Sequence, residues 1–101
     1  MHGEYKVKVT GGKLVSIKAE YDKRIEKVSI FGDFFLHPEG TIYKIEDSLA
    51  GMAAHSGKEA FKQRISKVLE EEHATLIGAD AESIASAIEE AIKNGVEGNQ
   101  T

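Results

Sequence analysis

A chain of 101 residues with a net charge of -4 and no cysteine is bounded chemically before any motif is read. It can bury roughly 60 to 70% of its unfolded surface, enough for one sheet layer and one helix layer and too little for two lobes around a cleft. The missing cysteine excludes disulfides, thiolate nucleophiles and cysteine-ligated zinc or iron-sulfur centres; lysines spread over both halves leave no nucleic-acid footprint, and no apolar run approaches the ~18 residues of a membrane span.

Tyr5, Val7 and Val9 alternate with Lys6, Lys8 and Thr10, the two-residue period of a strand with one wet face. Gly11-Gly12 supplies the positive φ that a tight hairpin turn requires. Val15, Ile17, Ala19 and Tyr21 then share one face against Ser16, Lys18 and Glu20. After the polar turn Asp22-Lys23-Arg24, Val28 and Ile30 alternate with Lys27 and Ser29 up to Phe31. Short turns between strands make an antiparallel meander.

The stretch Gly32-Asp33-Phe34-Phe35-Leu36-His37-Pro38 breaks this pattern. Gly32 tolerates positive φ, Asp33 can bond nearby amides, and Pro38 keeps His37 out of the α region. Two readings of this corner stand: aromatics that plug the core, or aromatics presented to another molecule.

Beyond the corner the period becomes helical. Thr41 or Glu39 is placed to cap a helix carrying Ile42, Ile45 and Leu49, which ends near Gly51. Ser56 with Glu59 has the form of a capping box, and the helix behind it, running to about Glu72, carries Phe61, Ile65, Val68 and Leu69 on one stripe. Asp80 caps a third helix with Ala81, Ile84, Ala85, Ile88, Ala91 and Ile92 inward and Gly95 as terminator. Residues 96–101 are expected to fray. The fold class expected is α+β: a three-stranded antiparallel meander with about three helices on one face, as a single domain over 1–101. The other sheet face, with Lys6, Lys8, Lys18, Glu20 and Lys27, is left to water or a polar partner.

Catalytic chemistry is thin. His2, His37, His55 and His73 never recur at the three- or four-residue spacing that sets two imidazoles on one helix face for a metal. His37 could serve as a general base, but with no carboxylate shown to orient it, a loop histidine is more often a surface or partner contact; Asp33 reads as a turn former, and Glu70-Glu71-Glu72 reads as a solvated helix end. Gly11-Gly12-Lys13 lacks the long loop and Lys-Ser or Lys-Thr ending of a phosphate loop. Ser56-Gly57-Lys58 opens a helix, where amides hold either a cap or an anion.

The succession Tyr5-Lys6-Val7-Lys8-Val9, Gly11-Gly12-Lys13-Leu14-Val15, Lys27-Val28-Ser29-Ile30-Phe31-Gly32-Asp33-Phe34-Phe35 and a short helix closing in Leu49-Ala50-Gly51 resembles the C-terminal accessory domain of lipoate-protein ligases. The resemblance is close over roughly residues 5–51 and loose beyond. It implies the separate small subunit of a two-chain ligase, in which a large catalytic chain handles lipoate, ATP and magnesium, makes lipoyl-AMP and transfers the lipoyl group to a lysine of an acceptor protein. This chain is then expected to carry no catalytic residue, metal or cofactor of its own, to form a cytoplasmic heterodimer with the large chain, and to meet lipoyl acceptor domains only indirectly. Neither nucleic acid nor membrane is an expected partner. The expected contact surface is Gly11, Gly12 and Lys13 of the hairpin tip with Gly32, Asp33, Phe34, Phe35, Leu36 and His37 of the corner. The alternative is a stand-alone binding or scaffold domain, related in fold to iron-sulfur assembly proteins but without their cysteines.

Overall fold

The alternating N-terminal third folds into an antiparallel sheet of three strands, β1 (His2–Lys8), β2 (Leu14–Tyr21) and β3 (Ile25–Gly32), in the order β1-β2-β3. The computed structural model describes residues 1–9 and 11–96. Thr10, read as part of the first strand, and the end at 97–101, read as frayed, lie outside the described residues. Gly11 and Gly12 take φ of 98° and 83°. Their turn is closed by Val9 N–H donating to Lys13 O at 2.8 Å and Gly12 N–H to Val9 O at 2.9 Å.

Register converts the alternation into layers. The row Tyr5, Ile17, Ile30 faces inward, and the next row, Lys6, Ser16, Phe31, faces out. Val15, Ile17, Ala19 and Tyr21 are all buried, together with Ile25, Val28 and Ile30.

Three helices cover that apolar face: α1 (Thr41–Leu49), α2 (Lys58–Glu71) and α3 (Ala81–Lys93). α1 lies against β3 and α3 against β1 and β2, while α2 packs on both helices. The expected α+β two-layer arrangement is the one observed. Among the described residues, no helix is long and apolar enough to cross a membrane.

Helix ends show where local pattern yields to tertiary structure. Asp80 caps α3 as expected, its carboxylate accepting from Ser83 N–H at 2.7 Å while Ser83 Oγ accepts from Asp80 N–H at 3.0 Å. Neither Thr41 nor Glu39 caps α1. Gly40 occupies that position, Thr41 is already helical, and the opening amides bond to the carbonyls of Pro38, Glu39 and Gly40. Nor does Ser56 cap α2, because Gly57 intervenes with φ of 93° and Ser56 Oγ turns back to Ala53 O. Lys58 N–H donates instead to the Glu89 carboxylate on α3 at 2.9 Å. At the end of α3, Asn94 is the cap and Gly95 stands just past it, where the terminator was expected, though without positive φ; Val96 is paired rather than frayed, exchanging hydrogen bonds of 2.9 and 2.8 Å with His2.

The largest departure lies in the corner. Phe35–His37 form β4, which pairs antiparallel with β5 (Thr75–Ile77), a second sheet of two strands. Three-residue strands are too short to show an alternation, and β5 lies beyond two helices in the sequence, so no local signal joins them.

Tyr21 ties the two layers together. Its hydroxyl donates to Ile92 O at the end of α3, its ring meets His55 edge-on at 6.5 Å, and burial raises its pKa above the usual tyrosine value. A folded pKa above the unfolded value of about 10 gives stability that is present below that pH and lost as pH rises through the folded value. Tyr21→Phe is therefore expected to cost about 1 kcal/mol at neutral pH and to flatten the loss of stability above pH ~10. Denaturant midpoints measured across that range check both effects.

Candidate partner interface

The corner is built by anchoring its start to the hairpin. The Asp33 carboxylate accepts from Leu14 N–H, and Asp33 N–H donates to Leu14 O at 3.2 Å, so Asp33 locks the end of β3 onto the start of β2. Gly32 leaves the room this needs, since a Cβ there would lie 2.0 Å from Leu14 O. Phe34 is half-buried and packs against the core.

From Phe35 on, strand geometry divides the side chains by face. Leu36 is 8% exposed and pairs with Leu76 across the ribbon, so Leu36 and Phe34 turn to the core while Phe35 stands out. Phe35 is 56% exposed and lies opposite Ile77, itself 58% exposed. His37, exposed and opposite Thr75, stacks its ring on Phe35 with centroids 6.4 Å apart and planes 7° from parallel. Exposed Gly11, Gly12 and Lys13 lie at the hairpin tip, and the Lys13 stem crosses Gly78, where a Cβ would meet Lys13 Cγ at 2.7 Å. The exit of β5 thus brings the hairpin tip up to the corner ribbon.

Between β3, β4 and α1 an open groove of about 290 Å³ is lined by Ile30, Phe31, Phe34, Phe35 and Ile42, with Glu39 contributing a carboxylate. Sequence reasoning missed Ile77, exposed on β5 of the ribbon, and Tyr43, exposed on α1. It had Phe31 as the end of a strand and gave it no role, although alternation after Lys27 and Ser29 puts it on the wet face, where it is 46% exposed.

Other candidates fall into structural roles. The start of α2, read as open to a cap or an anion, spends the Lys58 amide on Glu89. Glu72 pairs with Lys44 at 2.6 Å and ties α2 to α1. Among the described residues, no three of His, Asp and Glu gather as a metal site. A depression of about 480 Å³ on the open sheet face is lined by mixed charges, including Glu4, Lys18, Glu20 and Lys27.

The chain matches no protein-family model and no curated protein. It is similar to a chain of a solved structure described as "Structural analysis of an archaeal lipoylation system. A bi-partite lipoate protein ligase and its E2 lipoyl domain from Thermoplasma acidophilum". The two are 26% identical with a TM-score of 0.67, over 87% of this chain and 92% of that one. The chain is thus structurally related to a component of a lipoate protein ligase system.

Proposed function

We propose that this chain is the accessory subunit of a two-chain lipoate-protein ligase, acting with a large catalytic chain in the ATP-dependent activation of lipoate to lipoyl-AMP, ahead of transfer to an acceptor lysine. The observation that carries the reading is the mutual coverage of the structural match: 87% of one chain against 92% of the other means two small chains of similar length, in a system named as bi-partite. A second support is physical. Phe35, Ile77 and Phe31 stand in solvent on a chain otherwise rich in charge, and apolar side chains clustered in that way mark protein contacts.

Lipoate, ATP and magnesium belong to the large chain in this scheme. The small chain contributes by seating against its partner, ordering loops and excluding water from an acyl-phosphate anhydride that water would otherwise hydrolyse. The test is pyrophosphate release and lipoyl-AMP formation from lipoate and ATP. This chain alone is expected to give neither, and its addition to the large chain is expected to switch both on. Full adenylation by the large chain alone, or failure of the two to co-purify, overturns the proposal.

A further inference from the structure

We infer that the hairpin half of the open sheet face, built on Lys6, Lys8 and Lys18 around Phe31, docks an acidic segment of the large catalytic chain. This rests on the two-chain reading above and assigns a second surface to it.

The placement follows from register. Lys6 and Lys8 project from the same face of β1, Lys6 lies opposite Ser16, and Ser16 lies opposite Phe31. Lys18 stands one row further along β2 and leans its ammonium over the Phe31 ring, 5.9 Å from the centroid. Glu4, directly across from Lys18, marks where the purely basic stretch ends, and Glu20, Glu26 and Lys27 make the charge mixed beyond it. A chain with net charge -4 has therefore gathered cations at one end of one face.

Beyond the contact of Lys18 with the Phe31 ring, these cations are held in no ion pair among the described residues. The ion pairs among the described residues join Lys44, Lys62 and Lys93 to glutamates of the helices, and none engages Lys6, Lys8 or Lys18. Ser16, in the middle of this outward face, is only 8% exposed, so the surrounding side chains form a continuous surface rather than separate posts. Phe31 also lines the apolar groove beside Phe35, so the basic face and the groove share a wall. Charge complementarity then specifies the occupant: a segment with carboxylates to lie along the lysines and an apolar side chain to enter the groove.

A competing role exists for two of these lysines. β1 is an edge strand, and edge lysines discourage strand-to-strand aggregation. A charge of either sign serves that role, so charge reversal separates the two.

The experiment measures the affinity of the large ligase chain of the same genome for wild type, for Lys6→Glu/Lys8→Glu/Lys18→Glu and for the corresponding triple Gln variant, at about 50 and about 300 mM salt. The expected result is at least ~10-fold weaker binding for the Glu variant, a smaller loss for the Gln variant and a reduced salt dependence in both, with thermal melts unchanged. Wild-type affinity and salt dependence in both variants overturn the docking surface while leaving the two-chain reading intact. In a parallel titration with an acceptor lipoyl domain, weakened binding there beside wild-type affinity for the large chain assigns the face to the acceptor and also overturns it. Failure of wild type itself to bind the large chain overturns both.

Discussion

Replacing Gly3 by alanine is expected to lower stability by at least about 3 kcal/mol, the upper end of the range for overpacking. A Cβ at Gly3 would sit 1.8 Å from Ala91 O and 2.8 Å from Ala91 C. Both obstacles are backbone of α3, so no rotamer change relieves them, and the strand and helix must move apart. That movement disturbs the inward row of β1 and β2 and the bond from Tyr21 to Ile92 O. A loss of that size corresponds to a fall in melting temperature of roughly 12 to 24 °C for a domain of this size. Gly95 is the neighbouring case with a softer obstacle: a Cβ there meets the Tyr21 hydroxyl at 1.6 Å and the ring carbon behind it at 2.7 Å. Gly95→Ala is accordingly relieved in part by Tyr21→Phe, whereas Gly3→Ala is not. Gly40→Ala, with nothing near its added Cβ, is the control and shifts stability by less than about 0.5 kcal/mol. Equal melting temperatures for the Gly3 and Gly40 variants would show that α3 does not close over β1 as described.

These glycines mark the boundary of what local sequence expresses. Val15, Ile17, Ala19 and Tyr21 announce their strand because alternation and one-sided burial are the same physical fact. Asp80 announces α3 because its cap is made within the next three residues. Ser56 looks equally good as a cap and fails, since Glu89, a residue of another helix, takes the amide. Gly95 reads as a terminator and does stand just past the cap of α3, but it is also space for a tyrosine far away in sequence, which no local pattern expresses. The corner follows the same logic. Its composition marks it as special, but which of Phe34, Phe35 and Leu36 turns outward depends on pairing with β5, and nothing between residues 32 and 38 encodes that partner.

That pairing makes the contact surface separable from the core by mutation. Phe34→Ala is expected to cost about 3 kcal/mol of stability, because the ring is half-buried against the core. Phe35→Ala removes a ring that is 56% exposed, so its effect on the melting temperature is small. If the outward ribbon face seats on the large chain, however, Phe35 is its central aromatic anchor, and truncation weakens the complex by about 2 kcal/mol, or roughly 30-fold. Adenylation measured at limiting small chain falls by a comparable factor and recovers when the Phe35 variant is added in excess, since mass action restores the complex. Ile77→Ala, from the opposite strand of the same face, produces the same pattern at smaller size. A Phe34 variant behaves differently: its deficit tracks the fraction unfolded and disappears at lower temperature. Should Phe35→Ala and Ile77→Ala both bind the large chain with wild-type affinity, the ribbon face is not the contact, and the exposed ring has no part in joining the two chains.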